Sequence, residues 1–220
     1  MRNIEPHYDE DQYLQERYVD DEILTEDGKI RKKRSFKRNF NYQDEYFTPS
    51  CLVNCLIPYL ERWIKYFTDK NKREPIIWLP FDTEESKYYT ILTETFKDKA
   101  VIVRSHLNDD KDFFNYEPDK FDIIVSNPPF SRKLKIFKRI IFDFKKPFVL
   151  LMNMMSINYQ EIGELFAKQN GNIQFIIPDK KVSFDGHTSS FCSGYVCYKF
   201  IERTEFIHLE NNNSGENFRK

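Results

Sequence analysis

Glycine is rare in this chain of 220 residues, occurring six times, and cysteine occurs four times. Cys51, Cys55, Cys192 and Cys197 fall in two close pairs, neither of them Cys-x-x-Cys, which excludes a disulfide framework and argues against structural zinc. His187 precedes Cys192 in a stretch that reads as strand, so the cysteines are taken as reduced core residues and no metal site is expected. No apolar run reaches membrane-spanning length and no signal peptide is recognisable, so a cytoplasmic protein with no membrane partner is expected. Neither sign of charge dominates. With 34 Lys and Arg against 35 Asp and Glu, any attraction to a polyanion must come from a local patch.

Aromatic residues are abundant instead, 16% of the total and mostly Phe and Tyr, and the length suits one cored domain plus an arm. The most informative stretch is Phe121-Asp122-Ile123-Ile124-Val125-Ser126-Asn127-Pro128-Pro129-Phe130. Its β-branched apolar run reads as a buried strand, and two prolines, lacking N–H donors, then force the chain to turn. The carboxyl end of such a strand is where open α/β sheets place their ligands. The side-chain carbonyl of Asn127 and the rigidly held carbonyl of Pro128 can both accept hydrogen bonds from one planar –NH2. Together they draw its nitrogen lone pair out of conjugation, while Phe130 offers a flat face for stacking a heterocycle.

Asn-Pro-Pro-Phe in this setting resembles the signature of the amino-methyltransferases that act on the exocyclic amine of adenine. The resemblance implies a catalytic corner of Asn127, Pro128, Pro129 and Phe130, with S-adenosylmethionine as cofactor. Tyr46-Phe47-Thr48-Pro49-Ser50 precedes an amphipathic helix expected over residues 50–67, with Thr48 as its N-cap and Pro49 at its first position. Phe47 and Thr48 resemble the segment that in these enzymes lies against the methionine moiety of the cofactor, and helix N-termini favour carboxylates. Residues 76–79 read as the first core strand. It leads to Pro80-Phe81-Asp82-Thr83-Glu84-Glu85-Ser86, where the resemblance implies the cofactor loop. Pro80 and Phe81 fit that loop. Leu79 stands in place of the expected acid, however, and no glycine is present to let backbone approach ligand, so side chains such as Asp82, Thr83 and Ser86 must hold the cofactor. This variant loop resembles EcoRI-type and phage-encoded adenine methyltransferases, which implies a bacterial or phage source.

A second strand, residues 100–104, ends in Ser105-His106 where a ribose-binding carboxylate would be expected. His106 serves either a ribose hydroxyl or an ordinary loop. Asp112-Phe113 resembles the pair that bonds and packs the cofactor's adenine. Two basic segments stand out. Lys29 to Arg38, which includes Arg34 and Lys37, reads as a basic arm suited to phosphates. Arg132, Lys133 and Lys135 lie on a helix expected from 131 to 140, whose basic face either meets a phosphate backbone or is simply solvated.

Further strands are expected over residues 147–152 and 173–177, with a helix over 159–168 between them. Residues 182–200 read as two antiparallel strands, with Tyr195 resembling an aromatic that lines the target pocket. The fold class expected is α/β: a Rossmann-like methyltransferase sandwich with a mostly parallel sheet and an antiparallel C-terminal hairpin. Three regions follow: a polar, basic arm without regular elements over 1–45, a catalytic domain over 46–205, and a polar disordered tail over 206–220. The activity implied is methylation of adenine in DNA. Methylation of RNA adenine or protein glutamine, or a binding protein with a degenerate site, are the alternatives. No segment is large enough for a separate target-recognition domain, so specificity would come from small loops, the arm, a separate specificity protein or self-association.

Overall fold

The computed structural model describes residues 14–24, 30–40, 47–129, 132–184 and 192–209, the first two as backbone. Two compact units divide the chain, Met1–Asp44 and Glu45–Lys220. In the first, strands β1 (Leu14–Leu24) and β2 (Ile30–Phe40) pair antiparallel. The register explains why the acidic and basic blocks lie side by side in the sequence. Glu16 sits opposite Arg38, Asp20 opposite Arg34 and Glu22 opposite Lys32, alternating along one face with Leu14–Phe40, Tyr18–Phe36 and Leu24–Ile30. Opposite charges and aromatic pairs across an antiparallel ladder each stabilise it. The arm expected to lack regular elements is therefore a hairpin.

In the second unit a seven-stranded sheet has the order β4-β3-β5-β6-β8-β7-β9. Its parallel centre comprises β3 (Ile76–Leu79), β4 (Val101–Arg104), β5 (Ile123–Ser126) and β6 (Phe148–Asn153). Strand β8 (Ser193–Tyr198) runs antiparallel between β6 and β7 (Ile173–Pro178), and β9 (Glu205–Ile207) lies parallel to β7 at the edge. Apolar runs without alternation suit strands covered on both faces. Ile77, Leu79, Ile123, Val125, Val149 and Leu151 pack under α1 (Ser50–Asn71) and α2 (Lys87–Phe96), which contribute Leu52, Leu56, Leu60, Tyr88 and Leu92. On the opposite face Trp78 meets Phe113, Phe121 and Phe144, and Phe148 meets Phe137 of α3 (Lys133–Lys138). The two periods, 2 for strands and 3.6 for helices, thus sort the same chain into a three-layer sandwich.

Several boundaries differ from expectation. Helix α1 runs four residues further than expected, and its N-cap is Pro49, with no side-chain cap; Thr48 is buried instead. Pro58 sits within α1, where the bond it cannot donate would have gone to the carbonyl of Asn54, an exposed residue. Beyond α3 the chain continues as a π-helical turn, Arg139–Phe144. Helix α4 spans Gln160–Ala167. Residues 182–184 form no strand, and the expected turn at 185–190 lies outside the described residues. The antiparallel partners of β8 are instead β6 and β7, which flank it. The tail expected to begin at 206 instead opens as β9, and Leu209 is buried in the core. Among the described residues no helix is long and apolar enough to cross a membrane.

Candidate active site

Strands β3, β4 and β5 are parallel neighbours, so the residues that follow them meet at one end of the sheet. Those residues are Pro80 to Ser86, Ser105-His106 and Asn127-Pro128, and their convergence brings most of the expected site together. At its centre the Ser126 hydroxyl, the last side chain of β5, donates to the Asp82 carboxylate at 2.5 Å. The nearby Ser86 hydroxyl also favours the charged form of Asp82, and it accepts from the Tyr89 N–H at 3.1 Å, capping α2. Asp82 is 5% exposed. Burial pushes its carboxyl up to about 6, against the lowering pull of the Ser126 and Ser86 hydroxyls and nearby His106. His106 is buried, and its Nδ1 accepts from the Asn108 N–H at 3.1 Å, which puts the neutral ring's proton on Nε2. Its neighbour Ser105 turns inward and accepts from Trp78 Nε1 at 3.0 Å.

Phe81 and Phe113 pack with ring centroids 4.7 Å apart, Phe113 buried and Phe81 partly open. Asp112 is half-buried and folds into a local turn: Oδ1 accepts from the Phe114 N–H at 3.1 Å and Oδ2 from Asn115 Nδ2 at 2.9 Å. Each carboxylate oxygen retains a second lone pair. On the solvent side Arg104 bridges Glu84 and Asp109, 2.5 Å from each, and so ties the loop after β3 to the turn after β4. Phe47 is exposed beside the buried Thr48 at the opening of α1.

S-adenosylmethionine can be tested against this arrangement. The Thr83 Oγ1 is buried with no hydrogen-bond partner among the described residues, a polar atom in the loop left for a ligand to satisfy. Pro49 at the N-cap of α1 supplies no side-chain cap, and helix N-termini favour carboxylates. Phe81 is only partly buried, and Asp112 has acceptor capacity to spare. The residues present fit the group: Thr83 and Asp112 have hydrogen-bonding capacity for it, and Phe81 and Phe113 offer rings. Asp82 and Ser86, by contrast, hydrogen-bond within the protein, Asp82 to Ser126 and Ser86 to the Tyr89 N–H.

At the acceptor corner Asn127 is half-buried with its Oδ1 inside, Pro128 is buried and Pro129 is half-buried; Phe130 lies outside the described residues. Beyond it the Arg132 guanidinium stands 5.5 Å over the Phe114 ring, Lys133 stands 4.7 Å over Tyr159, and Lys135 is exposed. Arg34 and Lys37 are placed only by register, opposite Asp20 and Arg17 in the hairpin unit. Tyr195, expected to line the target pocket, is fully buried: it donates to the Leu52 carbonyl and receives Tyr88 Oη at 3.4 Å. Its position on the α1 side of β8 makes it core. Sequence reasoning missed Ser126 and Arg104. The signal for Ser126 was a hydroxyl closing an otherwise apolar strand; Arg104 had none. Two clefts of about 550 and 750 Å3 run along α1 and β9, and no candidate site residue lines them.

No family model and no curated protein matches the chain. Among solved structures it is similar to a protein from Listeria monocytogenes described as a class I S-adenosylmethionine-dependent methyltransferase. That match has 11% identity and a TM-score of 0.52 over 77% of this chain and 67% of that one. It is also similar to a human methyltransferase 10 domain containing protein, with 13% identity and a TM-score of 0.39 over 70% and 84% of the two chains. A third match, described as a modification subunit of a type I restriction enzyme from Vibrio vulnificus YJ016, has 9% identity and a TM-score of 0.40 over 77% and 48%. Sheet, helices and the Listeria likeness agree: the second unit has the Rossmann-like fold of class I S-adenosylmethionine-dependent methyltransferases.

Proposed function

We propose that this protein transfers a methyl group from S-adenosylmethionine to the exocyclic 6-amino group of adenine in DNA. One observation carries the reading. Asn127-Pro128 and the Pro80–Ser86 loop emerge side by side from adjacent parallel strands and are joined by the Ser126–Asp82 hydrogen bond. A methyl acceptor gripped by the first would therefore lie next to a cofactor held by the second.

When bound, S-adenosylmethionine supplies a methyl group activated on a sulfonium. The chain's own residues then have defined tasks. With the Asn127 side chain turned out of its enclosed position, its Oδ1 and the Pro128 carbonyl accept the two N–H bonds of a flipped adenine's amine and hold its nitrogen toward the cofactor side. Phe130 takes the stacking role on the strength of the sequence. No base is needed at the start, because the amine is neutral and its proton leaves after transfer. Removing one such preorganised acceptor typically costs about 100- to 1,000-fold in rate. Arg132, Lys133 and Lys135 lie just past the corner in sequence and supply positive charge for the phosphate backbone. DNA partners, with specificity from the hairpin unit, loops, a separate protein or a second copy, belong to the same proposal, as does a cytoplasmic site of action.

The glycine-free loop favours one rival, a binding protein that kept the fold and lost the cofactor. Calorimetric titration with S-adenosylmethionine separates the two: binding supports the enzyme, and no heat with no thermal shift at millimolar cofactor supports the rival. Methyl transfer to duplex DNA, single-stranded DNA and RNA, compared with Asn127→Ala, then identifies the substrate. The reading requires DNA to be methylated and the variant to bind cofactor yet fail to transfer.

A further inference from the structure

We propose that Asp82 is a positioning residue which couples the loop after β3 to the acceptor corner after β5, so that the two halves of the site are held in register by one carboxylate. The inference rests on the methyltransferase reading above and changes the role of Asp82 from cofactor ligand to internal strut.

The geometry leaves Asp82 little else to do. It is 5% exposed and engages Ser126 from β5 and Ser86 from the start of α2. A carboxylate so placed loses the solvation of its charge and must recover it from these hydroxyls. Such loops usually rely on glycine backbone to hold their shape around a ligand; this one has a side chain at every position from Pro80 to Ser86. Its shape is set instead by bonds between side chains and backbone. Asp82 meets Ser86, Ser86 meets the Tyr89 N–H at 3.1 Å, and the Ser86 N–H meets the Thr83 carbonyl at 3.2 Å. The Ser126 contact ties that loop to the end of β5. Ser126 directly precedes Asn127, so fixing its hydroxyl fixes the peptide from which the Asn127 amide projects.

The groups facing Asp82 are Ser126 at the end of β5, Ser86 and Tyr88 at the start of α2, and His106 after β4. Of these, His106 favours the charged carboxylate, whereas Tyr88 feels that charge as a burden that raises its own hydroxyl pKa. Protonation of Asp82 replaces the charge-assisted bond from Ser126 with a weaker neutral one. The strut then loosens in the range about pH 6.

The experiment compares the full chain with Asp82→Asn, Ser126→Ala and the double variant. Cofactor binding is measured by calorimetry, and kcat and KM on an adenine-containing oligonucleotide are measured from pH 5 to 8. The wild type is expected to lose kcat on an acidic limb centred near pH 6. Asp82→Asn should sit on a flat profile with kcat lower by about 10- to 100-fold, and the double variant should be no worse than either single one. A merely structural Asp82 would leave the acidic limb in place, whatever the unfolding temperature does. If the wild type transfers methyl groups and the limb persists in Asp82→Asn, or the two losses multiply, the coupling is overturned while the activity stands. If the wild type neither binds cofactor nor transfers, the activity reading falls and the coupling falls with it.

Discussion

Arg73 closes on Asp122 with two parallel hydrogen bonds, Nη1 to Oδ2 at 2.8 Å and Nη2 to Oδ1 at 2.7 Å. The same carboxylate accepts the Ile76 N–H at 2.9 Å, and the Asp122 N–H reaches the Ile76 carbonyl at 2.8 Å. This cluster starts β3 and β5 together at the end of the sheet opposite the candidate site, and so fixes which residues of the two strands end side by side. Arg73 is half exposed, so the ion pair itself contributes little. The larger effect comes from the buried carboxylate and the backbone donor it satisfies. Asp122→Ala is expected to destabilise the fold by about 2 kcal/mol, lowering the unfolding midpoint by about 4–8 °C. An unchanged midpoint in thermal denaturation would show that strand registry does not depend on this clamp.

Asp82 makes an opposite demand on stability. Its ordinary value is 3.8 and its folded value about 6, so the folded chain binds the proton more tightly than the unfolded one. The favourable contribution is fully present below pH 3.8 and is lost as pH rises through about 6. A rise of that size corresponds to about 3 kcal/mol. Asp82→Asn, which keeps shape and one acceptor but carries no charge, is therefore expected to be more stable than the wild type at pH 7.5, with the gain shrinking toward pH 4. Denaturant titrations at several pH values measure this directly. A variant less stable than the wild type at pH 7.5 would mean that the Ser126 and Ser86 hydroxyls outweigh burial.

Much of the parallel sheet was legible because buried strands leave unbroken apolar runs: residues 76–79 form β3 as expected, and 147–152 differ from β6 by one residue at each end. The hairpin departs from expectation for an instructive reason. Acidic and basic blocks separated by Asp27-Gly28 are themselves a pairing signal, since charges of opposite sign can face each other across a turn, yet the same blocks equally suit a solvated arm. Strand β9 is hard to read because three residues flanked by polar neighbours carry almost no periodicity; pairing with β7 decides it. At the site, sequence order shows that Phe81 follows β3, Asp112 follows β4 and Asn127 follows β5. Which groups face each other was not readable. The inward turn of Asp82 depends on the register of β3 against β5, and that register is set by residues some distance away.

Gly194 occupies a strand position where a side chain has no room. A Cβ there would lie 2.6 Å from Met154 Sδ, 2.9 Å from its Cγ and 3.3 Å from the Ile176 carbonyl. The methionine side chain can swing away; the carbonyl belongs to the β7–β8 ladder and moves only with its strand. Gly194→Ala is expected to cost about 1–3 kcal/mol, most of it recovered when Met154→Ala is added. Chemical denaturation of the two single variants and the double one closes the cycle. Independent, additive losses would locate the conflict at the Ile176 carbonyl rather than at Met154.

The basic face of α3 yields the last prediction, and the choice of residue matters. Arg132 stacks over Phe114, whose ring lies 5.4 Å from that of Phe113, so removing it would disturb the aromatic wall beside Phe81 as well as any phosphate contact. Lys133 stands over Tyr159 and has the same drawback. Lys135 is exposed on the same short helix and is the residue to test. If this face meets the DNA backbone, Lys135→Ala should weaken binding to every sequence alike, leave the calorimetric affinity for S-adenosylmethionine unchanged, and reduce the slope of log K against log salt by about 0.9 for one lost phosphate contact. Lys70→Ala, near the far end of α1, should leave the slope as it was. Equal slopes for wild type and Lys135→Ala would remove this face from the DNA interface and leave the hairpin strand that carries Arg34 and Lys37 as the remaining basic surface to test.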